Sequence, residues 1–232
     1  MKNYVYLAQQ SKKMIMKTLF VPKISCSMEE AFAVPDTMDS YGIDFETIDT
    51  LNWAEEYPYC PEVKFRIAHT GIGILLHYQV TEASVRAVAD EDDGRVWEDS
   101  CVEFFLSPDR SNDYYNFECN CIGTLLLHGG EKETERPGAP EEVMRSIKRW
   151  SSLGNQSFEE QVGERTWEVA LIIPVSALFN HSIMNLSGKL MNANFYKCGD
   201  LLQTPHFLSW NPIELPSPLF HCPEFFGKLD FE

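Results

Sequence analysis

Nowhere in the 232-residue chain is there an apolar run long enough to cross a bilayer. The lysine-bearing start, MKNYVYLAQQSKKMIMKTLF, lacks the continuous apolar stretch of a signal peptide. Basic residues are scarce, 19 Lys and Arg against 35 Asp and Glu, for a net charge of −16. Such a surface repels phosphate backbones and anionic lipids, which tells against nucleic-acid and membrane partners. A neutral ligand, or a cation held by carboxylates, suits it better. No GxSxG, HExxH or Gly-rich phosphate loop is present. No CxxC or Cys/His grouping has zinc spacing, so no metal ligands are assigned. Seven cysteines is an odd number, and Cys119 and Cys121 fall on one strand face, where reduced thiols pack as small apolar groups. With no leader in view, these features point to a cytoplasmic protein. Met14 and Met16 allow a later start, so residues 1–20 read as a dispensable extension and 21–232 as one domain.

What is present is period-two alternation, with little helical periodicity. VKFRIAHT, GILLHYQVTE, SVRAVAD, SCVEFFLSP, YYNFECNCIG and TLLLHG read as successive strands. EKETERPGAPEEVMRS reads as an exposed loop, followed by the strands IKRWSSL, SFEEQVG and TWEVALIIP. SALF reads as a short helical turn, KLMNANFYKCGD as a strand, and the proline-punctuated end as a loop closing in a last strand. The total of about ten strands, without repeat or linker, predicts an all-β, single-domain sandwich or jelly roll. The less regular residues before 60 are expected to wrap it.

Alternation also says which side chains share a face. Glu103 opposes Val102 and Phe104; Tyr114, Asn116, Glu118 and Asn120 oppose Tyr115, Phe117 and Cys119; Asn192, Asn194 and Tyr196 oppose Met191, Ala193 and Phe195. If these strands are neighbours, one face carries carboxylates, amides and rings. Carboxylates and amides hydrogen-bond vicinal hydroxyls, and aromatic rings stack on the apolar faces of sugars. An antiparallel sandwich can equally present such a polar face to water alone. Trp97, at the mouth of an apolar strand, suits either a core cap or a ligand wall.

WEDSCVEFFLSP, YYNFECNCIG, WEVALIIPVSAL, SWNP and FHCPEFFGKLDF, in that order, resemble the family 9 carbohydrate-binding modules over roughly residues 61–232. The likeness is to the family 9-like branch common in gut bacteria. It implies a sandwich that clamps a mono- or oligosaccharide between aromatic rings without catalysis, in support of polysaccharide breakdown. On this resemblance Trp97 and Phe220 are the clamp and Glu103 reaches the hydroxyls, while Asp99 and Ser100 fix the turn. Glu118, Asn192, Asn194, Tyr196 and His221 complete the expected set. Glu118 stands where the family carries an arginine, and two carboxylates on one surface raise a pKa or invite a cation. The family's setting is extracellular or periplasmic, at odds with the leaderless start. Structural calcium is common in such modules, and Asp90, Glu91, Asp92 and Asp93 are its candidates. Lacking EF-hand spacing, the stretch reads as a solvated turn.

Three other classes stay open. Glu103, Glu118, Asp99 and Glu168 could supply a glycosidase's acid and base, although carboxylates on a flat sheet face lack the burial that tunes an acid. Related sandwiches bind haem through His or Met, with His69, His77, His128 and the eight methionines as ligand candidates here. A decayed sugar site serving protein interaction is the third.

Overall fold

The alternating segments form strands because β-branched and aromatic residues at every second position share one pleated face. The structure, a computed structural model, describes residues 16–132 and 135–232; most of the expected extension, residues 1–15, lies outside them. The strands are β1 (Thr18–Val21), β2 (Glu46–Thr47), β3 (Thr50–Leu51), β4 (Glu62–His69), β5 (Gly73–Ala87), β6 (Cys101–Ser107) and β7 (Asp113–Asn120). They continue with β8 (Leu125–Glu131), β9 (Lys148–Ser151), β10 (Phe158–Pro174), β11 (Leu190–Cys198), β12 (Phe207–Ser209) and β13 (Gly227–Phe231). Two short helices, α1 (Val34–Ser40) and α2 (Glu141–Ser146), interrupt them. α2 lies within the stretch read as exposed loop.

The result is a two-sheet β-sandwich in a single domain. One sheet has the order β1-β13-β11-β6-β7-β8, with β12 joining β11 and β3; the other runs β2-β4-β5-β10-β9. The free edge of β11 is shared: its first half pairs β13, and its second half, Tyr196 to Cys198, pairs β12. β1 pairs parallel with β13, so Thr18–Phe20, counted above with the extension, are part of the sheet.

Two pairs of predicted strands are single long ones. GILLHYQVTE and SVRAVAD form the 15-residue β5; SFEEQVG and TWEVALIIP form the 17-residue β10. On β5 the core-facing residues switch from Ile74, Leu76, Tyr78 and Val80 to Val85 and Ala87, a change of phase that mimics a turn in the sequence. β10 accommodates its partner through register shifts between Phe158 and Gln161 and between Val162 and Arg165.

Between the sheets the core is aromatic. Phe65 of one sheet stacks on Phe195 of the other at 3.8 Å between ring centroids, and Phe195 stacks in turn on Phe104 at 4.9 Å. The outer faces are covered as well, contrary to the expectation of one wet face per sheet. Ala170 and Ile172 of β10 and Leu75 of β5 pack with Val34 and Met38 of α1. Over the other sheet, Phe105, Tyr114 and Tyr196 pack with Trp53, Ile213, Phe220 and Phe226. Every residue of β6 is therefore buried.

One charged pair sits inside the sandwich. Lys197 Nζ lies 2.9 Å from Glu82 Oε2, off the hydrogen-bonding line, with both side chains inaccessible. Glu82 Oε1 accepts from Trp167 Nε1 at 2.7 Å, and Lys197 Nζ donates to His206 Nε2 at 2.7 Å. Burial, with the lysine charge beside it, holds the His206 imidazole well below the usual range, hence neutral. Removing one member of such a pair strands the other charge. Lys197→Met is expected to cost about 3–5 kcal/mol in urea unfolding. Glu82→Gln/Lys197→Met, which keeps an acceptor for Trp167, should recover most of that loss.

Candidate functional site

The site begins with the turn WEDS. Val96–Glu98 form one 3-10 turn, after which Asp99 is fully buried. Its carboxylate pairs with Arg86, accepts from the backbone N–H groups of Val88 and Ala89, and accepts from Asn120 Nδ2 at 3.0 Å. The end of β5, the acidic loop and the end of β7 are thus tied to one carboxylate. Ser100 Oγ accepts from Arg86 N at 3.2 Å. Both residues secure the turn, and Trp97 is left half-buried at the rim of the sheet.

β6 follows, and its register sets the floor. Glu103 lies opposite Tyr196 of β11 on one side and Glu118 of β7 on the other. One row further on, Cys101 lies opposite Cys198; on the other side of Glu103's row, Phe105 lies opposite Asn194 and Asn116. The loops over this face leave a cleft of about 500 Å³, within the range of small-molecule sites. Glu103, Asn116, Glu118 and Cys198 line it from the sheet, Trp97 and Asp200 from one end, and Arg136, Phe220 and His221 from the covering loops.

Five of the eight sequence-predicted residues therefore meet in one cleft: Trp97, Glu103, Glu118, Phe220 and His221. Three do not line it. Asn194 is fully buried and spends its amide on the backbone, donating to Asn211 O and accepting from Asn211 N and Phe195 N. Tyr196 lies beneath Phe220, stacked at 4.3 Å and 11°, with its hydroxyl donating to Phe220 O. Asn192 sits a row beyond Asn194, opposite Ser107 and Lys228. Tyr196 therefore covers Phe220, which keeps only 9% of its surface exposed, while neighbouring Leu219 keeps 44%.

The floor is a low-dielectric place for carboxyls. Glu103 and Glu118 are 3% and 4% exposed, so the flat, solvated face expected above is in fact a buried one. Burial, with Cys198 and Glu118 as neighbours, pushes Glu103 well above the usual carboxylate range. Glu118 is pushed to about 7, chiefly by burial, against the hydrogen bond it accepts from Asn116 Nδ2 at 2.8 Å. Asp200 is pushed to about 6 by burial and by Glu98. Asn116 Oδ1 is buried without a hydrogen-bond partner.

The wall opposite is basic. Arg136 places its guanidinium 3.7 Å from the ring centre of Tyr114, donates to Tyr114 O at 2.6 Å, and donates through Nη1 to His221 Nδ1 at 3.2 Å. The Tyr114 hydroxyl reaches the same nitrogen at 2.8 Å. Nδ1 is thus the acceptor and the His221 proton sits on Nε2. Burial and Arg136 lower His221 to about 4, so the ring is neutral. Sequence reasoning missed Arg136: it comes from the polar loop after β8, where periodicity carries no information. Tyr114 and Asn116 were on the polar face but not singled out.

The remaining candidates disperse. Asp99 is spent on the turn, and Glu168 lies on the other sheet, 2.9 Å from His77 Nε2. His69 is fully buried on β4, and His128 Nε2 donates to Asp93 at 2.6 Å. In the acidic loop Asp92 pairs with Arg149 and Asp90 accepts from Ser157, so these exposed carboxylates are engaged by the chain itself.

Residues 32–231 match the family described as carbohydrate-binding family 9. The chain belongs to that family. Among solved structures it is similar to a protein of Bacteroides uniformis ATCC 8492 provisionally assigned as carbohydrate-binding, at 59% identity. That likeness covers 94% of this chain and 100% of the other, with a TM-score of 0.92. Family 9 modules of Caldicellulosiruptor kristjanssonii, in complex with glucose and with cellotriose, share the fold at 12% identity, with TM-scores of 0.55 and 0.57. Each covers 93% of this chain, and 96% and 94% of the module. No curated protein matches the chain.

Glu118 makes the stability of this family 9 fold depend on pH. Its proton is held to about 7 in the folded state against an ordinary 4.5. Between those values the native state binds more protons than the unfolded chain, so this contribution falls as pH rises. Urea unfolding from pH 5 to 8 should show the wild type losing on the order of 3 kcal/mol relative to Glu118→Gln, whose amide does not titrate.

Proposed function

We propose that the cleft binds a mono- or oligosaccharide, with Trp97 as one wall, the Phe220 segment as the other, and Glu103 and Glu118 as the polar floor, in support of polysaccharide breakdown. The observation that carries this reading is the convergence of a half-buried tryptophan, a phenylalanine loop and two buried carboxyls on one cleft. A carboxyl that keeps its proton both donates and accepts, which matches the two-way hydrogen bonding of a sugar hydroxyl. Arg136 and the Nε2–H of His221 add donors on the facing wall. Because Phe220 is largely covered, Leu219 and Pro218 supply the rest of the apolar surface on that side. The family's solved complexes with glucose and cellotriose support the ligand class.

The role is binding rather than catalysis. Glu103 and Glu118 are cross-strand neighbours on one floor, so both address the same side of a bound ring. Hydrolysis requires two carboxyls flanking the scissile bond. A sugar resting on one stacking wall and a few hydrogen bonds gains modest affinity, since such ring contacts contribute about 0.5–1.5 kcal/mol beyond area burial.

Tryptophan fluorescence titrated with glucose, cellotriose and a wider oligosaccharide panel is the test. A saturable change is expected, weakened at least tenfold, about 1.4 kcal/mol, in Trp97→Ala with unfolding unaltered. Unchanged affinity in that variant would sink the assignment, and release of reducing sugar would make the protein a hydrolase.

A further inference from the structure

Beneath the rim of the cleft lies a group of donors that sugar binding leaves unexplained. Cys101 Sγ, Cys198 Sγ and a Glu103 carboxylate oxygen all lie within 4.8 Å of one another, and all three side chains are buried. The sheet brings them together: Cys101 and Cys198 are cross-strand partners, and Glu103 is two residues from Cys101 on the same face. Cys198 Sγ donates to Glu103 Oε1 at 3.1 Å. Glu103 and Cys198 open into the cleft, together with Glu118 and Asp200. Among the described residues no Lys, Arg or His forms an ion pair with Glu103, Glu118 or Asp200. Two thiols and two carboxyls thus share one buried floor, with Asp200 at its end.

We propose that this floor is a binding site for a thiophilic divalent cation of the zinc class, held by Cys101, Cys198 and Glu103, with a fourth position open toward the cleft. Two sulfurs and one oxygen are a donor set zinc accepts, and three protein ligands with an open position form a recognised arrangement. Zinc bonds of about 2.3 Å to sulfur and 2.1 Å to oxygen place tetrahedral ligand atoms roughly 3.4–3.8 Å apart. The present separations, 3.1 Å for one pair and no more than 4.8 Å for the others, leave the donors within a small side-chain adjustment of that spacing. Entry exchanges the two thiol protons, and that of Glu103, for the cation and releases them to solvent. Two thiolates and a carboxylate leave a net charge of −1 on the complex. Glu103 is shared with the proposed sugar site, but the cation requires no sugar, so either reading can fail without the other.

The full chain, purified reduced in a chelator-free buffer, is titrated with Zn²⁺ by calorimetry and with Cd²⁺ while the ultraviolet thiolate-to-metal absorption is followed. One equivalent is expected, with the thiolate band present, proton release, and affinity rising with pH. Cys198→Ser and Cys101→Ser should lose the band, whereas Cys60→Ser, at an exposed thiol, should keep it. Should the buried serine variants misfold, Glu103→Gln decides, with affinity expected to fall roughly tenfold or more. Absence of a thiolate band, or a band indifferent to both Cys198→Ser and Glu103→Gln, overturns the site.

Discussion

The carboxylate of Asp99 fixes the geometry on which the rest of the site depends. It has no solvent contact and is satisfied by a guanidinium and two backbone amides from residues 86–89 and by the side-chain amide of Asn120. A charge buried in this way is tolerated only when every lone pair is met, so the arrangement admits little variation. It sets where β5 ends and where β6 begins. Because side chains alternate strictly along β6, it also sets which of its residues face the cleft. Two residues upstream of that carboxylate, Trp97 stands at the rim; two and four downstream, Cys101 and Glu103 point to the floor.

A second constraint is the covering of both faces of the eight-stranded sheet. Segments around Trp53 and residues 199–226 roof the outer face, excluding water from carboxyls that would be ordinary on an open sandwich. The exclusion turns Glu103 and Glu118 into proton carriers and, together with Arg136, keeps His221 neutral. Arg136 reaches into the same roof and supplies the cleft with positive charge from a part of the chain remote from the floor. The site is therefore divided, with an acid-bearing floor from the sheet and a donor-rich wall from the loops.

Much of this was legible in the sequence, and the limits of legibility follow from what alternation encodes. The phase of β6, β7 and β11 put Glu103, Glu118, Asn194 and Tyr196 on one face, as found. Phase carries no information on depth, so Asn194, which serves the backbone, and Tyr196, which lies under Phe220, looked equivalent to residues of the cleft. The roof is built from contacts more than a hundred and fifty residues apart, such as Trp53 Nε1 donating to Leu215 O, and no local pattern announces them. Burial of the carboxyls was missed for that reason. Likewise β5 and β10 read as four strands because a bulge shifts the periodic signal without breaking the strand.

The position of β13 between β1 and β11 bears on how the chain reaches this structure. Residues 227–231 bridge strands that begin at Thr18 and Leu190, so during synthesis neither neighbour can complete its ladder until the last of them has left the ribosome. Until then β1 has no partner in its sheet and the first half of β11 keeps one open edge, both able to pair with other chains. Closure is thus a late, long-range event of the kind that slows folding. A nascent or truncated chain lacking these five residues would be a client for chaperones rather than a slightly shortened sandwich.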